Sequence, residues 1–316
     1  MRSRVSAIGL VVSVLSLGAV VWWASRQEAP ELPSTSDQIL ALALAVGLYG
    51  LNTAIRAERW HRLLLKDGAK PSRTDSYALT VVGYTGNNIL PARAGDAIRV
   101  VLIAPRASTS KRTVVGTLLA ERLLDVLVIV ALFVVVGYAI LGNVSDGDVA
   151  ILAAVTAAGV IGAVAAIVIG RRTERIRHFI TPILSSTLNL RGPHGAAMLA
   201  ITVLIWAVEA GVWMAVGASV DFAMDPIESL YLVALSSIFS LIPSGPAYAG
   251  TQDSAAILGI KAIGGSNQIA VSYLVMLRFV IVVPITALGL LLMAARYGGI
   301  SKLRRPREPE LAETTA

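Results

Sequence analysis

Glu121, Arg122 and Asp125 stand together in "ERLLD", inside an apolar run that continues as "VLVIVALFVVV". A charged side chain at the centre of a membrane helix costs about 2.5–3.5 kcal/mol on insertion scales, so three of them call for a chemical reason. Spacings of three and four residues set all three on one broad helix face. There they can hold a substrate, relay protons, or form an internal ion pair in which Arg122 meets Asp96. A second cluster, "NNILPARAGDAIR", brings Asn87, Asn88, Arg93, Asp96 and Arg99 within thirteen residues. Arginine pairs bidentately with phosphate, and the free N–H groups of a broken helix attract the same charge. The competing role for Arg93 and Arg99 is to snorkel to lipid phosphates as anchors. Asn87 and Asn88 can line a cavity or cap the broken helix. A third cluster is split along the chain: Asp253 follows "PSGPAYAG", and Arg278 lies within "SYLVMLRFVIVV". Asp253 is the expected partner of Arg278. Glu209, within "LIWAVEAGVW", is either a titrating group or a hydrogen-bonded buried acid.

The elements that must position these groups are membrane helices. Of the 316 residues, 55% are hydrophobic and only 15% charged, against about 25% in soluble domains. Mean hydropathy is +0.72. The absence of cysteine removes thiol chemistry and disulfides, and His61, His178 and His194 are far apart, so no metal site and no cofactor are expected. The net charge of +7 reads as Lys and Arg of cytoplasmic loops facing anionic lipid, with no nucleic-acid partner. No P-loop, nucleophile elbow or H-E-x-x-H motif occurs, and the chain is not expected to be an enzyme.

Runs near the roughly 20 residues that span a bilayer occur at Val5–Ala24, Ile39–Ile55, Thr113–Leu141, Val149–Gly170, Ala196–Val220 and Ile269–Ala295. The first resembles a signal peptide but is long for one, and is read as a retained helix ending in interfacial Trp22 and Trp23. Basic stretches, "RAERWHRLLLKDGAKPSR" and "RRTERIRHF", are read as cytoplasmic loops; "GNVSDGD" and "VDFAMDPIE" as external ones. Two further segments, Tyr77–Ala104 and Leu230–Gln268, are too short for two crossings each and are read as re-entrant hairpins. The expected fold is therefore all-α and polytopic: six full transmembrane helices plus two opposed re-entrant hairpins in an inverted repeat, both termini cytoplasmic. Residues 1–295 would form one integral domain with halves of about 1–141 and 149–295, and residues 296–316 a basic, then disordered, tail. Inverted repeats with broken helices are a transporter design.

"GNNILPARAGDAIR", "ERLLDVLVIV", "IPSGPAYAGTQDSAAIL" and the arginine of the closing helix resemble the membrane domain of lysylphosphatidylglycerol synthases, as does "RAERWHRLL". The resemblance covers about Val5 to Ala295. It implies a flippase-like, multi-pass plasma-membrane domain that moves a lipid or lipid-linked group between leaflets. Asp96 stands where the family's first motif carries Glu, and Asp253 where its second does. The synthases' soluble aminoacyl-transferase domain has no counterpart, so lysyl-lipid synthesis is not expected. The function expected is translocation of a phospholipid or polyprenyl-phosphate-linked substrate. Arg93, Arg99, Arg122 and Arg278 would receive phosphate; Asp96, Glu121, Asp125 and Asp253 would hold those arginines or couple transport to protons. The alternative is a membrane enzyme, or the partner of a separately encoded lipid-modifying enzyme or glycosyltransferase. Membrane lipids are the expected partners in every case.

Overall fold

A computed structural model describes residues 18, 21–22, 24–90, 93–141, 185–240, 247 and 249–298. In chain order its helices are α1 (Ser36–Lys66), α2 (Arg73–Ile89), α3 (Ala94–Arg106), α4 (Lys111–Leu141), α5 (Gly192–Ala218), α6 (Pro226–Phe239), α7 (Thr251–Ala262) and α8 (Asn267–Tyr297). Helix starts follow ordinary capping chemistry. Thr35 and Gln38 form a capping box at α1, and Asp225 and Glu228 form another at α6, where Pro226 occupies the first turn. Gly298 closes α8 in the left-handed conformation that glycine adopts freely.

All the described secondary structure is helical, but six full spans with two opposed re-entrant hairpins in an inverted repeat is not the architecture found. Among the described residues, three helices are long and apolar enough to cross a membrane: α1, α5 and α8. The expected span Thr113–Leu141 falls within α4, whose first half carries Lys111, Arg112, Glu121, Arg122 and Asp125. The expected spans Val149–Gly170 and most of Val5–Ala24 lie outside the described residues, as do both termini and the tail from residue 299. The supposed basic loop from Arg56 is largely the end of α1. The segments read as hairpin limbs are short helices, α2 and α3 amphipathic and α6 apolar, packed against other helices of the bundle, a relationship that segment length and hydropathy do not encode. Hydropathy registers how apolar a run is; the partner that covers its polar face lies elsewhere in the chain.

Two apolar clusters bracket a polar layer. One gathers Val128 of α4, Trp213 and Val216 of α5, Leu232 of α6, Ile260 of α7 and Tyr273 and Leu277 of α8. The other gathers Trp60 and Leu64 of α1, Leu79 and Val82 of α2, Ile103 of α3, Val114 of α4 and Met293 of α8. Between them along α4 stand Glu121, Arg122 and Asp125, and along α8 stands Pro284. Large apolar side chains face outward, among them Leu40 and Leu44 of α1, Val203 of α5 and Leu291 of α8, as suits surfaces met by lipid.

The short pair α2 and α3 sets the geometry of the polar layer through glycine. A Cβ at Gly95 would lie 1.8 Å from the Gly83 carbonyl oxygen, and one at Gly86 would lie 2.6 Å from the Gly95 Cα. Backbones this close leave no room for a methyl group. Gly95→Ala is expected to force α3 off α2 and cost about 1–3 kcal/mol, the usual range for overpacking. Gly47→Ala, with nothing within 4 Å of the added atom, serves as the control in the same unfolding measurement and should gain up to about 1 kcal/mol from helix propensity.

The far end of α8 is tied to α2 by a surface link. Arg296 donates to Asp75 at 3.1 Å, and the Tyr297 hydroxyl donates to the same oxygen at 3.4 Å. Partial burial would raise the Asp75 pKa, but hydrogen bonds from Ser72 and Arg296 outweigh it and hold the carboxyl below its ordinary value. A depressed folded pKa means the link is intact above the ordinary carboxylate pKa of about 4 and is lost as pH falls through the lower folded value. Since Arg296 is 41% exposed, the contribution is small and salt-sensitive. Thermal unfolding should show a modest acid-side decline below about pH 4 that Asp75→Asn flattens.

Candidate functional site

Five helices, α1 to α5, converge on the polar layer. Asn52, Arg56 and Arg59 of α1 are spaced four and three residues apart, so one face of the helix carries all three toward its neighbours. Arg59, 1% exposed, is among the largest fully buried side chains. It forks onto both oxygens of Asp125, at 2.7 and 3.1 Å, and donates to Thr202 Oγ1 of α5 at 2.8 Å. A buried guanidinium is tolerated only when paired and hydrogen-bonded in this way. Glu121, one turn earlier on α4, accepts from Arg99 of α3 at 3.0 Å and lies 3.8 Å from Arg59. Arg99 also rests on the Trp60 ring, 3.9 Å from its centroid.

The remaining pairs lie nearer open space. Arg122 donates to Asp96 at 3.1 Å and its side chain is 38% exposed. Asn87 donates to the other Asp96 oxygen at 3.4 Å. Arg56 is 3.5 Å from Glu209 and 3.8 Å from Asp125, and its guanidinium sits 5.1 Å from the centre of the Trp206 ring. Neither contact of Arg56 is a close fork of the kind Arg59 makes. Glu209 is held by the Asn52 amide and by Trp213 Nε1 at 3.4 Å.

A cavity of about 180 Å³ opens among these helices. Arg56, Arg93, Arg122, Asp125 and Glu209 are its charged wall; Tyr49, Tyr84, Trp206 and Trp213 supply aromatic surface, and Asn87, Asn88, Ser237 and Gln252 neutral polar groups. Arg93 stands before the first turn of α3 with a left-handed backbone (φ 54°), and its guanidinium donates to the Ser240 carbonyl at 3.0 Å. A residue with a side chain pays strain to sit there, which fixes the direction in which Arg93 leaves the turn.

The ten residues singled out from the sequence thus divide. Asn87, Asn88, Arg93, Arg122 and Asp125 line the cavity; Asp96 stands behind it as the partner of Arg122, and Arg99 and Glu121 pair with each other one layer further back. Asn88 has a second duty: it donates to Thr286 Oγ1 at 3.1 Å and to the Ile281 carbonyl at 3.5 Å, beside Pro284, which lies inside the continuous helix α8 and supplies no N–H to it. Asp253 and Arg278 form a separate unit. Asp253 caps its own helix by accepting from Gly250 N at 2.9 Å, and Arg278 Nε donates to it at 2.7 Å. Neither lines the cavity. Arg56, Arg59 and Trp206 were missed from sequence, and Glu209 was noted there without a place in the site. The overlooked signal is the helical spacing of Asn52, Arg56 and Arg59, hidden because "RAERWHR" has the charge density of a loop. Among the described residues no three His, Asp or Glu side chains come together as metal ligands.

With this geometry in place, comparison with known proteins adds a family. The family model described as Lysylphosphatidylglycerol synthase TM region matches residues 6–289. A curated relative, the Glycosyltransferase AglD of Haloferax volcanii, is 30% identical over 156 residues, which is 49% of this chain. The match covers 24% of that relative's length, so the chain spans about a quarter of it. No solved structure matches.

Proposed function

The chain belongs to the lysylphosphatidylglycerol synthase TM region family, a flippase-like multi-pass domain of the plasma membrane, and from that premise we propose that it moves a lipid carrying a phosphate head group between leaflets. The matched region is the membrane part of the synthase and not a catalytic one. The observation that carries the proposal is the cavity wall: Arg56, Arg93 and Arg122 meet there, within a bundle whose outer surface is apolar. Guanidinium groups on a wall shared by three separate elements suit the oxygens of one phosphate, each pair adding direction as well as attraction. Asp125 and Glu209 beside Arg56, and Asp96 beside Arg122, offset the cost of burying those charges and place them before a lipid arrives, while the Ser240 carbonyl positions Arg93. The Arg99–Glu121 and Arg59–Asp125 pairs serve as the frame, and Arg278 with Asp253 fixes α7 to α8.

Reconstitution into vesicles tests this directly. Fluorescent phospholipids and polyprenyl phosphates should exchange between leaflets faster than in protein-free vesicles. Folded protein that accelerates none of them would end the proposal.

A second reading draws on the relative named as a glycosyltransferase: the chain serves as the scaffold of a separately encoded sugar-transferring enzyme. Such a partner would retain its output when Arg56 and Arg122 are both replaced by Gln, if the membrane domain acted only as a scaffold. Loss of output in that variant favours translocation.

A further inference from the structure

Two pairs of short helices contribute to opposite parts of the cavity wall. In the first, α2 packs on α8 and α3 packs on α4, where Arg99 is bound to Glu121. In the second, α6 packs on α4 and α7 packs on α8, where Asp253 is bound to Arg278. Among the described residues no comparable packing joins α2 or α3 to α6 or α7. Each pair is thus anchored to the long helices α4 and α8 rather than to the other pair.

The Arg93 guanidinium crosses between them, donating from the turn before α3 to the Ser240 carbonyl at the end of α6. Both residues line the cavity. So does Ala247, in the turn before α7, which shares the left-handed backbone of Arg93 (φ 53°) and whose carbonyl accepts from Arg278. Each pair therefore carries one strained residue at its turn, and strain of this kind collects at switching segments, held by the contacts around it. A guanidinium on a neutral carbonyl is open to competition. An ionised phosphate oxygen is the stronger acceptor, and phosphate offers a second, parallel contact.

We propose that the Arg93–Ser240 bond is a latch on the cavity, which an arriving lipid phosphate releases by taking the Arg93 guanidinium, so that the α6–α7 pair can part from the α2–α3 pair. This rests on the reading of the cavity as a lipid site. A ligand shifts a conformational equilibrium only by binding one state better, and the state bound better here is the one in which Arg93 has left the carbonyl. The chain contains no cysteine, so introduced pairs can be labelled without background. Spin labels at Val101→Cys of α3 and Leu258→Cys of α7, exposed positions outside the cavity wall, report the separation of the two pairs. Full-length protein in phosphate-free maltoside detergent should give the closed separation, and added phosphatidic acid or polyprenyl phosphate should bring up a longer one. Arg93→Ala should show the longer separation without lipid, its ratio to the closed one raised about tenfold or more, and should respond no further to lipid. If that variant fails to fold, the lipid response of protein with Arg93 intact carries the test. A cleavable cross-link between Ala94→Cys and Phe239→Cys, beside the two ends of the latch, should stop lipid exchange in vesicles, and cleavage should restore it. Separations unmoved by lipid and by Arg93→Ala make the bond a static brace and overturn the latch, leaving exchange to decide transport. Cross-linked protein that exchanges lipid at the rate of the cleaved protein overturns it as well. Opening by lipid without exchange of any lipid supports the latch and removes the transport reading instead.

Discussion

Arg56→Gln should slow lipid exchange by about tenfold to a hundredfold, the loss expected when one charge-assisted contact worth about 1.5–3 kcal/mol is removed from a phosphate site. Arg56 lines the cavity and is less committed to the fold than its neighbour Arg59. Its carboxylate neighbours are 3.5 and 3.8 Å away, whereas Arg59 forks onto Asp125 at 2.7 and 3.1 Å. In the variant Asp125 keeps Arg59, and Glu209 keeps the Asn52 amide and Trp213 Nε1. The protein should therefore still unfold cooperatively, with less loss of stability than a broken buried fork would cause. Arg56→Lys keeps the charge but presents a point donor in place of a planar fork, so it should recover only part of the rate. Exchange within twofold of wild type in Arg56→Gln would show that phosphate is received elsewhere on the wall, or not at all.

The ease with which Arg56 escapes a reading of the sequence says what such readings weigh. Long apolar runs disclosed α1, α4, α5 and α8 because hydrocarbon burial is a property of a segment by itself. The ion pairs Arg122–Asp96 and Arg278–Asp253 could also be anticipated, since an intramembrane charge must be met by an opposite one and few candidates exist. Arg56 and Arg59 sit in a stretch whose charge density looks like solvated loop, and only their tertiary partners on α4 and α5 make it buried helix. The six spans failed for a related reason. Apolar length shows that a run could cross, but α4 spends its first half on charges satisfied by α1 and α3, and the short helices satisfy theirs on neighbours of the bundle. Where a polar group finds its partner is a property of the fold.

Arg59→Ala is expected to produce the largest loss of stability of any change in the polar layer, about 3–5 kcal/mol, as for other buried pairs broken on one side. It strands the Asp125 carboxylate, 5% exposed, with Arg56 at 3.8 Å as its nearest remaining cation in the network. It also opens a void where one of the largest buried side chains had packed. Thr202 is spared, because its hydroxyl also donates to the Met198 carbonyl at 2.7 Å. Removing both charges should hurt less than removing one. In Arg59→Met with Asp125→Leu the desolvation cost of both ions disappears and much of the volume is kept, so stability should return to within about 2 kcal/mol of wild type. Exchange should stay impaired in that double variant, since Asp125 lines the cavity and is one of the two carboxylates that hold Arg56 in place. A double variant as unstable as Arg59→Ala would mean that the pair acts as a stabilising link in its own right. A stable one that exchanges lipid at the wild-type rate would mean that the charge layer can be dispensed with for transport.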